Sequence, residues 1–312
     1  MRTGLQALRL APTSFPLLSL FIGRGSPGRQ NLMSSTDRVI PKTLTIAGVD
    51  PSGGAGVLAD VKAMSALGAY ACGVIAALTA QSTTGVTGVL PIEPAFVAQQ
   101  IDTLFADVKI DAVKIGMLGR SNVIETVADR LQHWKPVHIV LDPVMIAKSG
   151  DALLEKSAIG AMREALIPGV TMLTPNLPEA GVLLDQRPVE TVKEMRRVAE
   201  RLREAMNHNG HRWVFLKGGH LPGNMAIDLL HDGDQMIEMA SPRIETKNTH
   251  GTGCTLSAAL AALLPQTRDV PEAARQAKAY LTEAIRQADT LHVGEGHGPV
   301  HHFHAMWKPA ER

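Results

Sequence analysis

Short apolar runs alternate with longer stretches of helical spacing along most of the chain. The runs at 44–49, 112–115 and 138–141 are typical of buried strands, and each is followed by a helical pattern, through residue 67 and over 123–134 and 158–166. Strands buried on both faces are continuous apolar runs, and crossover helices between them make a sheet mostly parallel. The pattern predicts an α/β fold with helices on both faces of one sheet.

The pattern changes in the last third of the chain. Runs at 170–173 and 213–216 predict two more central strands, whereas residues 226–245 read as strand-like pieces separated by a His-Asp-Gly-Asp turn. Such a turn signal predicts a hairpin, and therefore antiparallel strands at one edge of the sheet. Helices over 255–264 and 271–288 are expected to close the domain. Since no linker or repeat interrupts residues 43–290, we expect a single domain over residues 41–312.

Residues 1–40 differ in composition from the rest of the chain. They contain five arginines and several serines, and no acidic residue precedes Asp37. The simplest interpretation is a disordered extension or a start assigned too early, because Met33 begins a more usual N-terminus. A transit peptide also has this composition, and a secretory signal is a third interpretation, with an apolar run at 15–22 too short to span a bilayer.

Overall composition narrows the class of partner. The chain has 312 residues, of which 45% are hydrophobic and 20% charged, as in ordinary globular proteins. A net charge of +1, with no block of lysine and arginine, gives no reason to expect nucleic acid or a membrane surface as a partner. Cys72 and Cys254 lie far apart without metal-ligand spacing, which favours a reducing compartment. We therefore expect a cytoplasmic protein that binds small molecules.

Six polar and glycine-rich clusters lie just after predicted strands. In an open α/β sheet, ligands bind beyond the carboxyl ends of the strands, so these clusters are expected to meet at one cleft. The clusters are residues 48–56, 81–84, 116–118, 142–144, 174–179 and 217–220.

The most informative cluster of all is Lys-Asn-Thr-His-Gly-Thr-Gly-Cys at 247–254, which leads into the apolar-periodic helix. Gly251 and Gly253 let the backbone approach an anion, and the first amides of a helix have no internal partner. Cys254 follows directly, and the helix dipole is expected to lower the pKa of its thiol. The loop predicts an anion site with chemistry, although Cys254 also fits a small buried helix residue.

Four further residues are candidates for phosphate or metal chemistry. Asn176 and Glu179 share one face at the start of a helix, which suits a hydrated Mg²⁺ but also describes a helix cap. Asp142, at a strand end, is a candidate metal ligand or a turn residue. Lys217 precedes two glycines, where its ammonium could reach phosphates or remain solvated.

The glycine run at 53–56 follows a strand and begins a helix, but it has neither dinucleotide-binding nor P-loop spacing. A tight strand-to-helix turn capped by Asp50 or Ser52 is the plain alternative.

Taken together, the ordered motifs resemble hydroxymethylpyrimidine/phosphomethylpyrimidine kinases, ribokinase-like enzymes of thiamine biosynthesis. The resemblance runs from about residue 43 to the C-terminus. It implies a ribokinase-like three-layer sandwich, ATP and Mg²⁺ as cofactors, and two successive phosphorylations, of a pyrimidine alcohol and then of its monophosphate. It also implies a homodimer. The motifs lie at 48–56, 80–81, 114–118, 174–180, 217–221, 247–256 and 298–304.

The resemblance also implies roles for individual residues on the pyrimidine side. Gln81 matches the glutamine that reads the pyrimidine, and a primary amide does offer an acceptor to an exocyclic amine and a donor to a ring nitrogen. Gly48, Asp60 and Met117 match positions that line the pyrimidine pocket.

On the phosphate side, Cys254 stands where ribokinase-like sugar kinases carry an aspartate as catalytic base. Gly251, Thr252 and Gly253 are expected to hold the transferring phosphate, with Thr252 also contacting the nucleotide. Lys217 and Asn176 match the nucleotide side. Glu179 and Asp142 match the Mg²⁺ region.

Two other functions remain open from the sequence. Related ribokinase-like folds phosphorylate pyridoxal, and a pyrimidine-binding module that regulates thiamine synthesis would need only the Gln81 side of the cleft. The presence of the whole phosphate side argues against the regulatory module.

Overall fold

The computed structural model describes residues 40–145, 155–207, 210–267 and 269–307. Internal contacts divide the chain into two units, Met1–Val39 and Ile40–Arg312. All the strands and helices described here belong to the second unit. The interpretations of residues 1–39 as an extension or leader lie outside the described residues and stay predictions.

A nine-stranded sheet forms the centre of this unit, in the order β3-β2-β1-β4-β5-β6-β7-β8-β9. The pairs from β2 to β7 are parallel, whereas β3 at one edge and β8 and β9 at the other are antiparallel. The expected hairpin at 226–245 is therefore confirmed as β8 and β9. The strands are β1 Lys42–Val49, β2 Tyr70–Ser82, β3 Gly85–Pro91, β4 Ala112–Ile115, β5 His138–Leu141, β6 Met172–Leu173, β7 Trp213–Leu216, β8 Met225–His231 and β9 Met236–Pro242.

Two predicted elements differ in extent from the structure. The strand expected at 170–173 is only Met172–Leu173, because the chain enters the sheet from a 3-10 turn at Ile167–Gly169. The helix expected at 158–166 is α4, Lys156–Ala161, which continues as a π-helical turn over Met162–Leu166.

Eight helices surround the sheet in the described residues. The helices are α1 Gly56–Ala66, α2 Pro94–Asp107, α3 Ser121–Trp134, α4 Lys156–Ala161, α5 Leu177–Leu183, α6 Val192–Glu204, α7 Thr252–Leu263 and α8 Val270–Arg286. None of these helices of the described chain is long and apolar enough to cross a membrane.

Two hydrophobic clusters cover the two faces of the sheet. One contains buried side chains of α2 to α6, and the other contains those of α1, α7 and α8. The arrangement confirms the expected three-layer ribokinase-like sandwich. Helix α7 is buried at every position from Thr255 to Leu263, which is typical of a helix that is apolar all round. Because neighbours cover α7 on all sides, its first turn is fixed at the carboxyl edge of the sheet.

A buried ion pair joins α1 to the central strand β4. Lys114 interrupts the apolar sequence Ala-Val-Lys-Ile, and its Nζ donates to Asp60 Oδ1 at 2.9 Å and Oδ2 at 2.8 Å. Thr45 Oγ1 also donates to Asp60 Oδ2, at 2.5 Å. Both charged side chains are 0% exposed. Since a lone charge in a protein interior is very unfavourable, each of these two residues requires the other.

We expect Lys114→Met to destabilise the fold by about 3–5 kcal/mol, because it leaves the Asp60 carboxylate buried without its cation. The double variant Lys114→Met/Asp60→Leu should recover most of that loss, since both charges are removed together. Urea unfolding measures the free energies. As a control, Arg275→Met breaks an exposed pair with Glu272 and should cost less than about 1 kcal/mol. A Lys114→Met loss no larger than that of the control contradicts the account.

Candidate active site

The predicted clusters do converge on one cleft of about 420 Å³. A larger groove of about 740 Å³ surrounds the start of β5 and contains none of the predicted site residues. We therefore take the smaller cleft, beyond the carboxyl ends of the parallel strands, as the candidate active site. Its lining includes Gly48, Gln81, Met117, Asp142, Asn176, Glu179, Lys217, Gly251, Thr252, Gly253 and Cys254.

One side of the cleft is built by β1, β2 and the loop after β4. On β2, the Thr79 hydroxyl shares its one proton between the Val49 carbonyl at 2.9 Å and Gln81 Oε1 at 3.2 Å. The Gly48 amide donates to the Met117 carbonyl at 3.0 Å. A Cβ on Gly48 would lie 2.6 Å from Met117 Cε, so a larger residue would displace the thioether from the wall of the cleft.

Asp60, which was expected to line the pyrimidine pocket, does not reach it. The residue is 0% exposed, and its carboxylate is directed at Lys114 and Thr45 in the interior. This corrects the expectation. Asp60 forms an ion pair with Lys114, and this pair holds Asp60 beneath the cleft. Asp60 does act on the cleft through its charge, which raises the pKa of Cys254.

The other side of the cleft contains an ammonium between two carboxylates. Lys217 Nζ lies 2.7 Å from Asp142 Oδ1 and 3.8 Å from Glu179 Oε2. Burial alone would lower the pKa of Lys217, but the two carboxylates raise it above its usual value, so the lysine stays charged. A Cβ on Gly253 would lie 3.1 Å from this Nζ, so the absence of a side chain lets the loop backbone lie beside the ammonium.

Asn176 and Glu179 form a capping box at the start of α5. Asn176 Oδ1 accepts from the Glu179 amide at 2.8 Å, and Glu179 Oε2 accepts from the Asn176 amide at 2.7 Å. The cap fixes the Glu179 carboxyl inside the cleft. Burial raises the pKa of Glu179 to about 7, a change that Lys217 opposes and Asp142 reinforces.

Residues 251–254, which we call the anion loop, open helix α7 without a side-chain cap. In the described part of the chain, their backbone amides donate to no protein acceptor. Gly251 has φ of 74°, a left-handed conformation that favours glycine. A Cβ there would lie 1.8 Å from the Gly54 carbonyl oxygen. The loop has the geometry expected of an anion site.

The expected direction of the Cys254 pKa is wrong for the ligand-free protein. Part of the residue is accessible from the cleft, but the thiol itself is buried, and this desolvation raises its pKa to about 11. Lys114 opposes this change, whereas the carboxylates of Asp60 and Asp142 reinforce it. The helix terminus was expected to dominate, yet desolvation and two nearby negative charges outweigh it.

One pair in the wall of the cleft was not predicted from the sequence. His250 and Asp50 are 200 residues apart, and His250 Nε2 lies 2.7 Å from Asp50 Oδ2. Asp50 was predicted only as a cap for the first turn, and it does accept from the amides of Ser52 and Ala55. Asp50 could be recognised in the sequence as a carboxylate at a strand end, but nothing in the sequence indicated that His250 is its partner.

Comparisons with known proteins agree with this geometry. A family described as phosphomethylpyrimidine kinase matches residues 50–301. A hydroxymethylpyrimidine/phosphomethylpyrimidine kinase of Salmonella typhimurium is 55% identical over 264 residues, which is 85% of this chain and 98% of that relative.

Two solved structures extend the comparison to the fold. A Bacillus subtilis pyridoxal kinase in complex with ADP has a TM-score of 0.76 and 32% identity, and the match covers 85% of this chain and 98% of that one. A phosphomethylpyrimidine kinase from Clostridium difficile has a TM-score of 0.69 and 38% identity, covering 78% and 99%. The fold and the cleft are those of a ribokinase-like phosphotransferase. Within that class, the chain belongs to the phosphomethylpyrimidine kinase family.

The raised pKa of Cys254 predicts slow alkylation of its thiol at neutral pH, because only the thiolate reacts. In a Cys72→Ser variant, where Cys254 is the remaining cysteine, the iodoacetamide rate should rise about tenfold per pH unit from pH 7 to 10 without a plateau. Mass spectrometry of the intact protein measures this rate. A variant that lacks both cysteines gives the background, and a plateau below about pH 9 contradicts the assignment.

Proposed function

We propose that this protein transfers the γ-phosphate of ATP to the alcohol of hydroxymethylpyrimidine, and then a second phosphate to the resulting monophosphate, in thiamine biosynthesis. The relative from Salmonella typhimurium carries these two substrates in its name. The observation that carries the proposal is the division of the cleft. Gln81 and Met117 form one wall, suited to an aromatic ring with an amine, and Lys217 and the anion loop form the other.

The chemistry follows from this division. The alcohol oxygen forms a bond to the γ-phosphorus, the bond from that phosphorus to the β,γ-bridging oxygen breaks, and ADP leaves. Charge on the phosphoryl oxygens is stabilised by the amides of the anion loop and by Lys217, with Asn176 and Thr252 on the nucleotide side. Lys217 approaches as a point charge, in a place where Asp142 holds it.

The alcohol must also lose its proton, and Cys254 is the residue proposed to take it. A thiol with a pKa of about 11 is protonated at neutral pH, so this role requires that bound substrates first favour the thiolate. Phosphoryl transfer has a loose transition state in most analyses, so the demand on a base is modest and positioning matters more. Amides of the anion loop therefore contribute at least as much as the thiol.

The carboxylates of the cleft fit Mg²⁺ bound together with ATP. Within the described residues no group of three or more histidine, cysteine, aspartate or glutamate side chains could hold a metal alone. Mg²⁺ needs only one or two carboxylates when phosphates and water supply the rest, and Asp142 and Glu179 meet that need. When bound, the cation neutralises charge on the transferred phosphate. The partly protonated state of Glu179 supports this assignment.

We also propose a cytoplasmic homodimer. Both cysteines are free, as expected in a reducing compartment. Leu78 and Leu90 pair directly across β2 and β3 at the edge of the sheet and are 42% and 63% exposed, and an exposed apolar pair of this kind favours contact with a second copy.

The proposed activity predicts products of defined mass. With ATP and Mg²⁺, hydroxymethylpyrimidine should gain one phosphate and then a second. Gln81→Ala should raise the KM for the pyrimidine about tenfold or more, because one amide makes two hydrogen bonds to the ring. Pyridoxal is assayed in parallel, since the Bacillus subtilis structure is a pyridoxal kinase. Pyrimidine binding without phosphate gain contradicts the proposal and favours a regulatory module; faster turnover of pyridoxal favours that substrate.

The Mg²⁺ assignment predicts proton release on binding. A cation beside Glu179 favours its ionised form, so the pKa falls from about 7 and up to about half a proton leaves at pH 7. Titration calorimetry of MgADP in buffers of different ionisation enthalpy measures this proton. Glu179→Gln is isosteric and should release none from this position. Equal proton release by wild type and variant contradicts the assignment.

A further inference from the structure

Two glycine-containing loops, far apart in sequence, meet at the cleft. Residues 50–56, which we call the first loop, lead from β1 into α1, and the anion loop leads into α7. Their backbones are in contact, because a Cβ on Gly251 would lie 1.8 Å from Gly54 O. A Cβ on Gly54 would lie 2.3 Å from His250 Cδ2, so the imidazole lies directly against this glycine.

A buried side-chain hydrogen bond adds to this contact, next to a bond from the Gly56 amide to the Cys254 thiol. His250 Nε2 lies 2.7 Å from Asp50 Oδ2, and the two side chains are 8% and 3% exposed. Burial alone would raise the pKa of Asp50, but bonds from His250 and Ser52 hold it below its usual value. The ionised carboxylate can only accept, so His250 donates to it through Nε2–H.

Asp50 and His250 each also form a hydrogen bond with a backbone group near their own loop. Asp50 Oδ2 accepts from the Ala55 amide at 3.0 Å, directly before α1. The His250 amide donates to the Gly298 carbonyl at 3.0 Å. Helix α7 has no side-chain cap, and the amides of residues 251–254 donate to no acceptor among the described residues. The anion loop therefore has to be held from outside, and His250 is the residue directly before it.

We propose that the Asp50–His250 hydrogen bond holds the anion loop against the first loop, which makes His250 a positioning residue for phosphoryl transfer. This inference rests on the proposed role of the anion loop. His250 takes no part in moving protons; it fixes where the amides of residues 251–254 lie. Since a displacement of about 1 Å can cost about 10²-fold in rate, loss of this bond should affect turnover more than binding.

The kinetic test compares three substitutions with MgATP and hydroxymethylpyrimidine. His250→Leu removes the donor, His250→Asn is too short to reach Asp50, and His250→Gln keeps a donor near the position of Nε2. We expect kcat to fall about 10- to 100-fold in the first two, with KM for the pyrimidine within about threefold, and His250→Gln to recover most of kcat. His231→Leu is the matched control, because His231 is a buried histidine bonded to the Gln235 carbonyl, away from the cleft.

Three kinetic results overturn the proposal: a folded His250→Asn variant with kcat within threefold of wild type, a His250→Gln variant no faster than His250→Asn, or an equal loss in His231→Leu. Hydrogen exchange in the ligand-free protein tests the loop without any substrate. Peptides covering residues 251–256 should exchange faster in His250→Asn than in wild type or His250→Gln, and unchanged exchange overturns the proposal. If the exchange rates differ between wild type and His250→Asn as expected, but the wild-type protein phosphorylates no pyrimidine, the substrate assignment fails while the loop contact stands.

Discussion

A charge buried in the central strand has to be paired, and much of the site depends on that constraint. Lys114 is fully enclosed beneath the cleft, and Asp60 on α1 meets it with both carboxylate oxygens. Because α1 packs beside α7 in the same hydrophobic cluster, this pair fixes α1 relative to the helix that carries the anion loop. The same charges act on Cys254, where Lys114 lowers and Asp60 raises the pKa of the thiol.

Two further pairings fix other strand-end loops. Asp142 holds the Lys217 ammonium at 2.7 Å, and Asp228 Oδ2 lies 2.6 Å from Lys278 Nζ while its Oδ1 accepts from the Gly218 amide. The loop after β7 is thus held at Lys217 and at Gly218. Buried ion pairs do not always add stability, but they do specify geometry when every group has a partner. Here they orient the backbone at which an anion would bind.

The pKa of Cys254 changes the interpretation of the site. A helix N-terminus alone suggests a reactive thiolate, whereas the surrounding carboxylates and the dense packing keep the thiol protonated. The cleft is better suited to stabilising charge on a transferred group than to strong base catalysis. That balance agrees with the loose transition state of phosphoryl transfer.

Sequence patterns predicted the parts of the fold that depend on local chemistry. The strands β4, β5 and β7 were predicted with their observed bounds, because each is a continuous apolar run between polar turns. Strand β3 was not predicted, since Gly85–Pro91 is partly exposed and is a strand only through its pairing with β2. The position of Asp60 and the Asp50–His250 bond depend on residues that folding brings together, so neither could be predicted from spacing. The cleft itself was predicted, because strand-end clusters must meet at one edge of a parallel sheet.

A crystal structure with hydroxymethylpyrimidine and a non-hydrolysable ATP analogue tests the central claim most directly. The account predicts the ring between Gln81 and Met117, and the terminal phosphate within hydrogen-bond distance of the amides of residues 251–254 and of Lys217 Nζ. A terminal phosphate bound away from the anion loop, or a pyrimidine bound outside this cleft, would contradict it.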